Sequence, residues 1–168
     1  TLDDLEDRRR YLNATATLTR LLDAGAVPVV NENDSVATQE IRFGDNDRLA
    51  ARVAQAAHAN AVLLLSDVDG LFDRNPKDPE ARLLPLIHGV TAEIHAMADG
   101  GSASGLGSGG SASSLRAAEI AERAGIALVI GNGTHDQPIA RVTDQGIGTL
   151  FLPRRKAAAR KAWLGGRL

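Results

Sequence analysis

Between Asp3 and Ala24 the apolar positions Tyr11, Ala14, Leu18 and Leu21 recur at three- and four-residue steps and Gly25 follows, which predicts an amphipathic helix with a glycine stop. Ala26-Val-Pro-Val-Val30 is a β-branched run that predicts a short strand. A polar stretch then leads to a second helical face, Leu49, Val53 and Ala56, beginning after Asp47. Ala61-Val-Leu-Leu-Leu65 is uniformly apolar, the pattern of a strand buried on both faces of a parallel sheet. From Asp67 to Pro79 the chain reads as loop, because Asn75-Pro76 and Asp78-Pro79 each push the residue before proline out of the helical region. A short helix is predicted from Thr91 to Ala98, and Gly100 to Ser114 is nearly all glycine, serine and alanine. Ala117, Ile120, Ala121 and Ala124 give another helical face ending at Gly125, and Ile126-Ala-Leu-Val-Ile130 another buried strand. Thr149 to Leu152 is a further strand candidate. Strands alternating with helices predict a layered α/β domain with a largely parallel sheet over residues 1–153. The basic, alanine-rich segment over residues 154–168 reads as a helix or linker.

Composition narrows the function more than the fold. In 168 residues the formal net charge is -2, which offers neither the basic footprint of a nucleic-acid binder nor an acidic tail, so small metabolites are the expected partners. The absence of cysteine excludes disulfides, thiolate metal sites and cysteine nucleophiles and suits the cytoplasm. No apolar run approaches the roughly 20 residues of a membrane helix. The charged start, Thr1 to Asp7, is unlike a signal peptide and lacks an initiating methionine, so the chain reads as a piece of a longer one.

Two polar clusters follow the ends of apolar strands, where open α/β sheets place their ligands. In the first, Asn31-Glu-Asn-Asp34 is followed by Gly44-Asp-Asn-Asp47. Carboxylates can pair with an ammonium while carboxamides and backbone amides receive carboxylates, so the two tetrads together suit an amino acid. Asp45 or Asp47 could equally be a helix cap. The second, Ser66-Asp-Val-Asp-Gly70, fails the calcium-loop spacing at Leu71 and reads either as a nucleotide-contacting turn or as an ordinary aspartate and glycine turn. Gly105 to Ser114, entering a helix, could expose backbone amides to a phosphate or serve as a flexible linker. It lacks the strand and acid of a dinucleotide site and the lysine of a Walker loop. His58, His88, His95 and His135 show no metal spacing, so no metal site is expected from them.

Tyr11-Leu-Asn-Ala, Val29 to Val36, Glu40 to Asp47, Leu64 to Phe72 and Ser104-Gly-Leu-Gly together resemble the glutamate 5-kinases of the amino acid kinase family, and the similarity covers nearly the whole chain. The resemblance implies an αβα sandwich whose N-terminal part, with its first strand and a phosphate-binding lysine, lies outside this chain. It implies transfer of the ATP γ-phosphoryl group to the side-chain carboxylate of L-glutamate, the first step of proline biosynthesis, with Mg2+ as a helper. By position, Asn31, Asp34, Asp45 and Asn46 would bind glutamate, and Asp47 would orient the phosphate-binding lysines. Ser66 and Asp67 would touch ATP, and Ser108, Gly109, Gly110, Ser111, Ala112, Ser113 and Ser114 would wrap its phosphates. The family usually reads Gly-Thr-Gly-Gly-Met-x-Thr-Lys-Leu through that loop, whereas here Ser114 stands at the lysine position. A glutamate 5-kinase impaired in this chain because both that lysine and the N-terminal part are absent is the leading expectation. A non-catalytic glutamate- or proline-binding module, a degenerate copy, and a kinase for acetylglutamate, carbamate or uridylate are the competing ones. The resemblance further implies a homo-oligomer, proline feedback, and in many members a PUA domain after the stretch like Arg160-Lys-Ala-Trp-Leu164.

Overall fold

The computed structural model describes residues 5–31, 45–98 and 109–154. The N-terminal periodicity becomes helix α1, Arg8–Asp23, capped by the Asp7 carboxylate, which accepts from the Arg10 N–H at 2.9 Å. Gly25 ends it at φ +74°, a left-handed value that glycine adopts without steric cost. The run that follows forms no strand: Val27 and Val29 are 87% and 95% exposed, and residues 26–30 carry no regular structure. β-branched residues favour extended backbone, but a strand also needs a neighbour to take its hydrogen bonds, and none of the described strands lies beside this segment.

The remaining elements are α2 (Asp45–Ala56), β1 (Ala61–Ser66), β2 (Leu86–His88), α3 (Ala92–Ala98), α4 (Gly109–Ala124), β3 (Ala127–Asn132), α5 (Pro138–Thr143) and β4 (Thr149–Leu152). They build a sheet of order β1-β3-β4-β2. β1 and β3 run parallel from Ala61↔Ala127 to Ser66↔Asn132, β2 and β4 are parallel, and β4 returns antiparallel to β3. Val62, Leu64, Ile87, Leu128, Ile130 and Phe151 turn to one face, where they meet Ala51 and Ala54 of α2 and Leu115, Ala117, Ala118 and Ala121 of α4. α5 lies on the opposite face against β3, since a Cβ on Gly131 would meet Val142. The result is the expected αβα layering with a mostly parallel sheet.

One expectation is only half met. The apolar run of β1 suggested burial on both faces, yet Leu65 is 45% exposed, because α5 is six residues long and packs on β3. The core face carries the burial, and its helix seam is made of alanines: Ala51, Ala117 and Ala121 are each fully buried. Side chains that small let α2 and α4 approach closely.

At the other end of the sheet Arg154 Nε donates to Glu122 Oε1 at 2.8 Å while the Val90 N–H donates to Glu122 Oε2 at 3.0 Å. Burial alone would raise the Glu122 carboxyl, but these hydrogen bonds and the guanidinium outweigh it and hold it below its ordinary value. The cluster ties the end of β4 to α4 and to the turn before α3.

Candidate functional site

Short turns join α2 to β1 and α4 to β3. The Ala59 N–H donates to Ala54 O at 2.9 Å in the first, the Ile126 N–H donates to Ala121 O at 2.9 Å in the second, and the Ala127 N–H donates to Asn60 O at 3.2 Å between the two strand starts. Each helix therefore runs back beside its strand, and the first turns of α2 and α4 lie at the edge where β1 and β3 end. That edge is the ligand-binding edge of an open α/β sheet.

Asp47 is on α2 and Ser114 on α4, and the Ser114 hydroxyl donates to Asp47 Oδ2 at 2.7 Å. A hydroxyl on a carboxylate at this distance is a strong, charge-assisted hydrogen bond. The alanine seam sets the distance: Ala51 and Ala54 follow Asp47 at helical spacing, as Ala117, Ala118 and Ala121 follow Ser114. Ser114 itself is only 5% exposed. Helix α4 already begins at Gly109, so Ser111 to Ser114 are helical rather than part of a loop. Leu115, Ala117 and Ala118 explain this, because burying them draws the preceding turn onto the core. Ser113 is buried beside Ser114, Ala112 is exposed, and Gly109 to Ala112 form the first turn of α4, whose N–H groups point out of the helix end and can receive an anion. Ser108 lies outside the described residues.

The proposed amino-acid ligands are placed less completely. Asp45 opens α2 and Asn46 is exposed on its first turn, next to Asp47. Asn31 is exposed at the end of the 26–31 segment, and Asp34 lies outside the described residues.

At the end of β1 the Ser66 hydroxyl donates to Asp67 Oδ1 at 3.2 Å, and the Gly133 N–H beyond β3 donates to Ser66 O at 2.7 Å. The turn is pinned from β4: Thr149, fully buried, accepts the Leu71 N–H through Oγ1 at 2.8 Å, and a Cβ on Gly70 would collide with that same oxygen. Thr149→Val keeps the shape and removes the acceptor, leaving a buried N–H unsatisfied. We expect it to lower unfolding free energy by about 1–3 kcal/mol in urea titration.

Asn132 was not singled out from sequence, Thr149 was read only as the start of a strand, and His135 only as a histidine without metal spacing. Asn132 ends the apolar run of β3 as Ser66 ends that of β1, which was the available signal. His135 Nε2 lies 3.8 Å from Asp69 Oδ1, and His95 Nε2 lies 2.8 Å from Glu119 Oε1 between α3 and α4. Among the described residues no group of three or more histidines, aspartates and glutamates could hold a metal, and no helix is long and apolar enough to cross a membrane. A cleft of about 470 Å³ lined by Asp73, Arg74, Pro79, Glu80, Ala81 and Arg82 belongs to the arm after the β1 turn. It is polar, and its Arg74 is already engaged by Asp73, Asp78 and Glu80, so the strand-end edge is the better site.

Parallel strands whose ends carry hydroxyl, carboxylate and carboxamide side chains beside two helix N-termini define an α/β fold with a polar sheet edge of the kind that can receive a small anionic ligand. The chain belongs to the amino acid kinase family, whose model matches residues 1–132. It is 70% identical over 168 residues to a glutamate 5-kinase of Novosphingobium aromaticivorans, covering 100% of this chain and 45% of that protein. Glutamate 5-kinases of Sphingopyxis alaskensis and Zymomonas mobilis are 61% and 57% identical, over 100% of this chain and 45% and 43% of theirs. The chain thus spans less than half the length of these relatives. Among solved structures, UMP kinase from Ureaplasma parvum shares the fold with a TM-score of 0.56 at 16% identity, over 82% of this chain and 52% of that one.

Proposed function

We propose that the protein carrying this chain phosphorylates the side-chain carboxylate of L-glutamate with ATP, giving γ-glutamyl phosphate for proline biosynthesis in the cytoplasm, and that Ser114 slows it. The 70% identity to a glutamate 5-kinase across the whole chain supports the substrate, and the Asp47–Ser114 contact supports the slowing. The nucleophile is a carboxylate, already ionised near neutral pH since its ordinary pKa is about 4.3. No general base is required. One carboxylate oxygen bonds to the γ-phosphorus as the bond to the β,γ-bridging oxygen breaks, and that electron pair leaves with ADP. What remains for the protein is alignment and neutralisation of charge.

In this reading Asp34 and Asp45 pair with the glutamate ammonium, and Asn31 and Asn46 hold its carboxylates. Ser66 and Asp67 contact the nucleotide, and the phosphates are received by the first turn of α4, Gly109, Gly110, Ser111 and Ala112, with Ser108 before it and Ser113 after it in sequence. Asp67 and Asp47 are hard oxygen donors of the kind that suit Mg2+, which is usually carried by the nucleotide's phosphates with only one or two carboxylates and supplies further charge neutralisation when bound. Asp47 would orient a phosphate-binding cation, but its carboxylate is held by the uncharged Ser114 hydroxyl. The same contact favours a second reading, a non-catalytic module that binds glutamate or proline, because Asp47 is satisfied without a cation. The family resemblance adds a homo-oligomer and proline feedback to the proposal.

Titration calorimetry on the protein that includes the segments by which the relatives exceed this chain separates the two. Binding of both glutamate and ATP is expected. Glutamate or proline binding with no ATP binding would favour the module, and binding of neither would overturn both readings.

A further inference from the structure

Asp69 Oδ1 is closed to solvent and has no hydrogen-bond partner. The group facing it, His135 Nε2, is 3.8 Å away, inside ion-pair range and outside hydrogen-bond range. Both side chains are nearly half exposed, 46% for His135 and 43% for Asp69, so at this separation the pair contributes little. A buried carboxylate oxygen without a donor is nevertheless costly, so a donor brought to it by a small movement would be favourable.

The surrounding backbone holds the two loops close together. Gly133 donates to Ser66 O, and a Cβ on Gly133 would sit 3.0 Å from the Leu65 Cβ, so glycine permits the close approach. Asn132 Oδ1 accepts from the Thr134 N–H at 2.9 Å and from Thr134 Oγ1 at 2.7 Å, which fixes the turn that carries His135. Asp69 stands two residues beyond Asp67 on the turn pinned by Thr149. A movement of about 1 Å by the β3 loop would bring His135 Nε2–H into hydrogen-bond range of Asp69 Oδ1.

We infer that His135 is a positioning residue for the nucleotide: with ATP seated at Ser66 and Asp67, the β3 loop closes on the β1 turn, His135 donates to Asp69, and the pair holds that turn in its binding conformation. The inference rests on the nucleotide half of the function proposed above. ATP can drive the closure only through contacts that are better in the closed form, so breaking the latch must weaken ATP and leave glutamate alone.

The test is calorimetric binding of ATP and of glutamate to the wild type, His135→Ala, His135→Gln, Asp69→Ala and the double alanine variant, in the same longer protein, with thermal midpoints recorded for each. Expected is a loss of ATP affinity of about fivefold or more in either alanine variant, no further loss in the double variant, unchanged glutamate affinity, and recovery in His135→Gln, whose amide can still donate. ATP affinity unchanged in His135→Ala, additive losses in the double variant, or a parallel loss of glutamate affinity would each overturn the latch while leaving the kinase reading intact. A wild type that binds glutamate but not ATP would remove the nucleotide reading itself, and the latch with it.

Discussion

Replacing Ser114 by lysine is expected to raise ATP-dependent phosphorylation of glutamate by about a hundredfold or more, the loss that follows when one charge-stabilising contact to a transferring phosphoryl group is removed. The site is prepared for a cation. Asp47 lies 2.7 Å from the Ser114 hydroxyl and would face the new ammonium as a counter-charge. Ser114 is 5% exposed, so the lysine stem must lie along the α2–α4 seam and carry its charge out to the strand-end edge, as long cationic side chains do. Ser114→Met supplies a long unbranched side chain without the charge and should give no gain. Steady-state ADP release that requires glutamate, measured on the longer protein, checks both variants. Equal rates for lysine, methionine and wild type would show that Ser114 is not the limiting position.

The second large effect is structural and reaches the site through packing. Ala51→Leu places three extra carbon atoms at a fully buried position between α2 and the rest of the core. Overpacking of this kind costs about 1–3 kcal/mol, a substantial part of the roughly 5–15 kcal/mol that holds a domain folded. Because Ala51 is one turn beyond Asp47, the same change should pull the Asp47 carboxylate from Ser114. Urea unfolding should show a lower midpoint, and a Ser114→Lys background should lose most of its added rate when Ala51→Leu is introduced. Leu12→Ala on the exposed face of α1 is the control, expected to shift stability by no more than about 0.5 kcal/mol, as surface changes generally do. If Ala51→Leu were as mild as Leu12→Ala, the seam would not be setting the distance.

The order of elements was legible from periodicity, because the Leu- and Val-rich runs of β1 and β3 and the alanine-rich faces of α2 and α4 each have one dominant spacing. The 26–30 segment was not, since β-branched composition reports a preference for extended backbone and says nothing about whether a neighbouring strand exists. The start of α4 was misread for a related reason: Gly109 to Ser114 look like linker by composition, and what makes them helical is the burial of Leu115, Ala117 and Ala118 further on. At the site, the Asp47 and Ser114 positions could be named from the family resemblance, but their direct contact depends on two helices packing side by side. Thr149 and His135 were out of reach. Each acts on the β1 turn from a strand or loop distant in sequence, through a single hydrogen bond or near-contact that no local pattern encodes.

The proposed glutamate kinase has serine at position 114, where a lysine would supply a phosphate-binding cation. Hydroxylamine trapping of the acyl phosphate formed by the Ser114→Lys protein tests it most directly. γ-Glutamyl hydroxamate, identified by mass, is expected only when ATP and glutamate are both present. No hydroxamate from glutamate, or a phosphorylated product from acetylglutamate, carbamate or uridylate instead, would contradict it.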